Sequence, residues 1–427
     1  MSLLLRDGRV VDPASATDER LDILLDGPRI ADIRPRIEAP GAAEIDASGL
    51  VVAPGFIDLH VHLREPGHPA KETIATGSRA AAKGGFTTIC AMPNTKPVND
   101  HPDVAAYVKA EAARAGLVRV LPIGALTKGL LGEELTDMAA LSGAGVVAFS
   151  DDGRCIQNGR RMRTALERAR DLGTLVIDHC EDASLAEGGI LHEGEVSRRL
   201  GLPGIPAAAE DVMVARDILL AEAVGGKVHI AHLSTKGAAG LVREAKIRGV
   251  RVTAEATPHH LLLTDAALDG RDPNFKMNPP LRGAEDVAAL RAAVQDGTID
   301  IFATDHAPHA AAEKALGLER APFGVVGLET AVSLLLDRFV HAGVISLERF
   351  IALWTVRPAE VLGFDRLGRI VPGGEADLTL LDLDKTVSVD AAGFASLGRN
   401  TPFQGWTLRG APVRTIRGGR VIYPFPS

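Results

Sequence analysis

Eight short apolar runs, most of them followed by a stretch of helical character, narrow the folds open to this chain more than any other feature. They cover residues 56–63, 87–91, 118–123, 146–149, 175–177, 227–231, 250–254 and 299–303. Between them lie Ala-rich amphipathic stretches, such as 71–83, 103–115, 161–172, 208–223, 236–248 and 284–295. Eight β-then-α units are what a (β/α)₈ TIM barrel requires. A doubly wound open sheet is the competing α/β architecture. It would carry a Gly-rich phosphate turn after an early strand, and none is present.

The ends of the chain have a different texture. Residues 2–5 lead through Asp7-Gly8 into 9–11, and 22–25 and 29–33 flank Asp26-Gly27; both read as hairpins. Residues 377–381 are strand-like, and 413–422 form a further hairpin around Gly418-Gly419. These segments predict one small composite β domain, built from 1–53 and 365–427 around a barrel spanning 54–364. Two unrelated β flaps are the alternative. A net charge of -8 gives no basic footprint for nucleic acid. No apolar run approaches a membrane span, and the N-terminal Met-Ser-Leu-Leu-Leu-Arg-Asp-Gly lacks the pattern of a signal peptide. Three cysteines (Cys90, Cys155, Cys180) cannot build a disulfide framework, so a reducing, cytoplasmic location is expected.

In a barrel, chemistry gathers where strands end. The first run carries His60 and His62, two apart and therefore on one side of a strand, with Arg64 following on the same alternation. Two imidazoles on one face are half of a metal site, and a guanidinium fork beside them suits an anionic substrate. Asp58 lies one step deeper and reads as a supporting residue. Later runs end in Met92-Pro93-Asn94-Thr95, Ser150-Asp151-Asp152-Gly153, Asp178-His179-Cys180-Glu181, His232-Leu233-Ser234 and Thr304-Asp305-His306. A set of His60, His62, His179, His232, Asp305 and one carboxylate after the fourth run suits one or two divalent ions. Imidazole with carboxylate favours Zn²⁺, with Mn²⁺ or Co²⁺ admissible on chemistry alone. Cys180 should point away from His179 as a core thiol.

This arrangement resembles the amidohydrolase superfamily. Within it, Asp58 to Gly67 and Ala303 to His309 resemble the two signatures of the dihydroorotase family, as do Met92-Pro93-Asn94-Thr95 and Asn278-Pro279-Pro280-Leu281-Arg282. The resemblance covers essentially the whole chain. It implies His60, His62 and Asp305 on one metal and His179 and His232 on a second, with two Zn²⁺ favoured. Hydantoinases and allantoinases carry a carboxylated lysine after the fourth strand. Residues 145–153 contain no lysine, and bacterial dihydroorotases use an aspartate there. Asp152 takes that position, with Asp151 as the other candidate.

The resemblance further implies reversible, metal-dependent cyclisation of N-carbamoyl-L-aspartate to L-dihydroorotate and water, in pyrimidine biosynthesis. A metal-bridging hydroxide would be the nucleophile and Asp305 the general acid and base. Arg64, Asn94 and His309 would bind the substrate carboxylate, and Asn278, His62 and the backbone of Phe323 and Gly324 would contact the substrate. His229, His259, His260 and His306 have no role in this scheme. The loop 310–322 follows the site as either a cover or a passive connection. A homodimer and a complex with aspartate transcarbamoylase are the partners implied. A hydantoinase or allantoinase is the alternative enzyme, disfavoured by the absent lysine and by Arg64, Asn94 and His309. A non-catalytic scaffold is the alternative of another class, although such a chain would be expected to have lost ligands that this one keeps.

Overall fold

The computed structural model describes residues 2–425. The N-terminal strands are β1 (Ser2–Asp12), β2 (Thr17–Asp26), β3 (Arg29–Arg34), β4 (Ala43–Asp46) and β5 (Val51–Pro54). The first barrel strands follow as β6 (Phe56–Val61), β7 (Phe86–Ala91), β8 (Arg119–Pro122) and β9 (Val176–Asp178). A small pair, β10 (Leu191–His192) and β11 (Gly204–Ile205), precedes β12 (Val228–Ile230), β13 (Val252–Ala256) and β14 (Ile301–Phe302). The chain ends with β15 (Leu378–Ser388), β16 (Thr407–Arg417) and β17 (Arg420–Tyr423).

Strands from both ends share one sheet in the order β17-β16-β15-β5-β1-β2-β3, with β4 also on β1. β5 joins them: it runs parallel to β1 and antiparallel to β15. The hairpin anticipated around Asp26-Gly27 turns one residue later, at Gly27-Pro28, with Asp26 opposite Arg29; the C-terminal hairpin turns at Gly418-Gly419, with Arg417 opposite Arg420. Asp7-Gly8 does not turn the chain. β1 runs straight through it, with a register shift between Leu5 and Gly8. The reason is tertiary: β4 and β5 pair along β1 on either side of that point, and a Cβ on Gly8 would lie 2.6 Å from Val52 Cγ2. The glycine serves close strand approach there, as it does at many bulges.

The barrel ring consists of the parallel sets β6-β7-β8 and β14-β13-β12-β9. Two narrow joints close it. The fourth apolar run, 146–149, is hardly a strand: Phe149 alone bridges in parallel to Gly124 and Val176. Across the other joint Val61 bridges His306, and the His62 amide donates to the His306 carbonyl at 2.8 Å. The architecture is therefore a (β/α)₈ barrel. Its interior holds Ile57, Leu59, Cys90, Ile123, Ala148, Ile177 and Ile301, all at most 1% exposed. Outside the strands, Phe56, Phe86, Phe302 and Phe350 surround Trp354 or one another, and Trp354 stacks on Phe56 with ring centroids 6.4 Å apart. Three of the helices that follow barrel segments start at polar caps that satisfy a free amide: Thr73 for Ile74–Lys83, Asn158 for Gly159–Asp171 and Thr235 for Lys236–Ile247.

Candidate active site

Six polar side chains from five strand ends converge at one mouth of the barrel. His62 Nε2 lies 3.1 Å from Asp305 Oδ1 and 3.6 Å from Asp152 Oδ2. His60 Nε2 lies 3.3 Å from Asp152 Oδ1 and 3.6 Å from Asp305 Oδ1. His179 Nδ1 and His232 Nε2 are 2.8 Å apart, and each is 3.8 Å from Asp152 Oδ1. All six residues are buried. His60, His62 and Asp305 form one group able to hold a cation, and His60, Asp152 and His232 form another.

The adjacent aspartates separate cleanly. Asp152 sits among the imidazoles, whereas Asp151 turns away. Asp151 Oδ1 accepts the Leu126 and Thr127 amides at 2.8 and 2.9 Å, and the Thr127 hydroxyl donates to its other oxygen. Burial raises the Asp151 carboxyl to about 6 despite these bonds. Asp152 goes the other way. Burial opposes its ionisation, but His60 and His232 together hold it well below the carboxylate range. Asp305 is likewise kept ionised against burial, by His62 and His60. His60 answers in kind: burial disfavours its charge, yet Glu255 and Asp152 raise its proton affinity well above normal. A cluster that attracts a proton this strongly attracts a divalent ion for the same reason.

Asp305, His232 and Arg64 adopt left-handed backbone conformations, with φ of 45°, 28° and 58°. Strain of this kind concentrates where function dictates side-chain direction. It also corrects the placement of Arg64 by strand alternation. β6 stops at Val61, and the left-handed turn is part of what brings Arg64 to the pocket. There its Nε donates to the Pro308 carbonyl at 3.2 Å, and its Nη2 lies 3.5 Å from His309 Nε2. Asn94 faces both sides of the cluster: Oδ1 lies 2.9 Å from His62 Nδ1, and Nδ2 donates to Asp152 Oδ2 at 3.1 Å. His309 Nε2 lies 2.7 Å from the Phe323 carbonyl. Burial, with Arg64, Lys314 and Lys71 nearby, pushes His309 down to about 2, so it is neutral. Asn278 Nδ2 donates to Glu181 Oε2 at 2.9 Å and lies 3.3 Å from His179 Nε2. Arg64, Asn94 and Asn278, with Gly153, Ala307, Phe323, Gly324 and members of the cluster, enclose a cavity of about 180 Å³, the scale of a small ring substrate; His309 lies beside it, next to Arg64.

The Dihydro-orotase-like family profile matches residues 49–238. A dihydroorotase of Pelotomaculum thermopropionicum is 54% identical over 99% of this chain and 98% of its own length. One of Geobacter metallireducens is 50% identical over 99% of this chain and 100% of its own. The chain belongs to the dihydroorotase family. Among solved structures, an L-hydantoinase (dihydropyrimidinase) from Arthrobacter aurescens superposes with a TM-score of 0.88 at 27% identity, covering 98% of this chain and 95% of its own. A D-hydantoinase from Thermus sp. gives 0.82 at 27%, covering 98% and 94%. The family is metal-dependent, and the site fits a metal. His60 Nε2 and Asp152 Oδ1 are buried, 3.3 Å apart, and have no hydrogen-bond partner.

Several supports of this family's site escape a reading of strand ends. Glu255 on β13 is fully buried. Its Oε1 lies 2.6 Å from His60 Nδ1 and accepts the His232 amide at 3.1 Å, while Oε2 lies 3.0 Å from His229 Nε2. One carboxylate thus orients His60, fixes the backbone of His232 and gives His229 a purpose. Burial opposes its charge, and His60 and His229 outweigh that. The sequence signal was present: Glu255 alternates inward on a strand, four residues before His259. Asp58 accepts from the Thr304 hydroxyl at 2.6 Å and from the Thr304 and His60 amides, joining β6 to the residue before Asp305. Burial raises it to about 7. Cys180 is a core thiol, 3.5 Å from Asp178 Oδ2. The loop 310–322 holds a short helix, Ala311–Lys314. Two lysines staple it. Lys314 Nζ donates to the Pro273, Lys276 and Pro322 carbonyls, and Lys276 Nζ to those of Leu318 and Glu319.

Proposed function

We propose that this chain catalyses the reversible closure of N-carbamoyl-L-aspartate to L-dihydroorotate with release of water, a step of pyrimidine biosynthesis. The observation that carries this reading is one cavity wall. Arg64 and Asn94 lie there beside two acid–imidazole groups, with His309 next to Arg64, so a carboxylate recognised by the wall leaves a ring carbonyl over the cluster. His60, His62, Asp152, His179, His232 and Asp305 would hold two Zn²⁺ ions. Bound there, the metal acidifies water toward neutrality and polarises the carbonyl under attack.

The remaining work falls to side chains. In the hydrolytic direction, water adds to the ring carbonyl carbon, the C–N bond breaks and a carboxylate forms. Asp305, ionised in the cluster, takes the water's proton and passes it to the leaving ring nitrogen. In the closing direction, the ureido nitrogen gives its proton to Asp305 as it attacks the carboxyl carbon; Asp305 returns that proton to the departing carboxylate oxygen, which takes a second from solvent and leaves as water. Arg64 offers paired N–H donors to the substrate carboxylate. Neutral His309 and Asn94 complete that contact, and Asn278 with the Phe323-Gly324 backbone positions the ring. Arg64 is held by a single carbonyl of Pro308, which leaves donors of its fork for the ligand.

The purified protein should hydrolyse L-dihydroorotate and leave hydantoin and allantoin unchanged. Chelation should abolish turnover, and added Zn²⁺ should restore it. Turnover of hydantoin in preference to dihydroorotate would overturn the substrate assignment, and chelator-resistant turnover would overturn the metal assignment.

A further inference from the structure

The segment 395–401 lies in the C-terminal part of the sequence, far from every strand-end motif, yet it is bonded into the wall of the pocket. Asn400 is 3% exposed. Its Oδ1 accepts the His309 amide at 3.1 Å. Its Nδ2 donates to the Ala307 and Gly324 carbonyls, each at 3.0 Å. Its own carbonyl accepts the Val326 amide at 3.0 Å. A few residues upstream, the Ser396 hydroxyl and the Leu397 amide donate to Glu72, whose Oε2 also lies 3.2 Å from His306 Nε2.

The packing leaves these parts little freedom to shift independently. A Cβ on Gly398 would lie 2.7 Å from Pro308 Cβ and from Val326 Cγ1. A Cβ on Gly324, at φ +129°, would lie 2.8 Å from Ala307 Cβ and 3.0 Å from His309 Nε2. One primary amide therefore joins residues 307–309 to Gly324, and Ala307 and Gly324 line one side of the cavity. It does so with both ends at once, an acceptor for one partner and a two-donor nitrogen for the others. Aspartate keeps the acceptor but presents an anion to two carbonyl oxygens. Alanine leaves three backbone groups without their partner.

We propose that Asn400 is a positioning residue for substrate recognition, setting the backbone so that His309 meets the carboxylate that Arg64 binds and Gly324 meets the ring. This rests on the reading of Arg64 and His309 as the carboxylate site. Asn400 touches neither the six clustered acids and imidazoles nor the cavity itself. Its loss should therefore weaken binding and leave the chemical step nearly intact.

The test compares wild type, Asn400→Ala, Asn400→Asp, His309→Ala and the Asn400→Ala/His309→Ala double variant, all full-length and Zn²⁺-loaded. For Asn400→Ala and Asn400→Asp, KM for L-dihydroorotate and Ki for orotate should both rise about tenfold, with kcat within about threefold and metal content unchanged. The double variant should raise KM no further than His309→Ala alone, since both changes remove one contact. Fully additive effects, an unchanged KM in folded Asn400 variants, or a fall in kcat alone would overturn the proposal. If Asn400→Ala does not fold, Asn400→Asp carries the same readouts. A KM raised by His309→Ala but not by either Asn400 variant would sink Asn400 alone. An unchanged KM in His309→Ala would sink the carboxylate assignment and this inference with it.

Discussion

Asp151 and Asp152 are neighbours in sequence with opposite environments, so the same substitution should have opposite consequences. Asp152→Asn should lose bound Zn²⁺ and activity while, compared metal-free, unfolding near the wild-type midpoint. Asp151→Asn should keep its metal and lose about 1–3 kcal/mol of stability, because its carboxylate is committed to Leu126 and Thr127. Metal analysis and denaturant unfolding of both variants check the pair. Glu255→Gln should lower Zn²⁺ affinity about 10–100-fold, read by chelator competition, since it weakens the bonds that orient His60 and His229. The legibility of the site divides along the same line. His60 and His62 could be read because their spacing matches the period of a strand. His179, His232 and Asp305 could be read because each lies within two residues of the end of an apolar run. Asn400 could not, because its partner is 91 residues away and no local period connects them; Glu255 alternates inward on its strand, but its role depends on His60, 195 residues away.

The β-strands differ in how far the sequence specifies them. The turns at Gly27-Pro28 and Gly418-Gly419 are set locally, because their residues tolerate the backbone that a two-residue turn needs. Asp7-Gly8 has the same local chemistry but lies on a strand gripped along both edges, and pairing overrode the turn. The fourth barrel strand shrank to Phe149 because its neighbours supply the ring with single bridges rather than a ladder. By contrast, the aromatic layer behind β6, β7 and β14 is specified by volume. Trp354 is fully buried against Phe56, Phe86 and Phe302. Trp354→Ala should cost about 3–5 kcal/mol, measured as a lower urea midpoint with an unchanged slope.

For the molecule as a whole, one buried amine links pH to stability. Burial, with Lys276 nearby, pushes Lys314 down to about 7. The unfolded chain holds that proton up to about pH 10.4. Between these values the unfolded state binds more protons, so this group's contribution to stability rises with pH, by up to about 1.4 kcal/mol per unit. It is lost as pH falls through 7. The unfolding free energy of Lys314→Met, followed from pH 6.5 to 9.5, should lack that rise when compared with wild type. Among the described residues no helix is long and apolar enough to cross a membrane. The shared sheet has a further consequence, for the order of events at the ribosome. β5 emerges early with one edge facing β1, while the partner for its other edge, β15, begins only at Leu378. At about 5–20 residues per second of synthesis, that edge waits on the order of half a minute. The nascent chain carries an open strand edge for all of that time, a template that a second nascent copy or a chaperone can reach before the chain's own tail does.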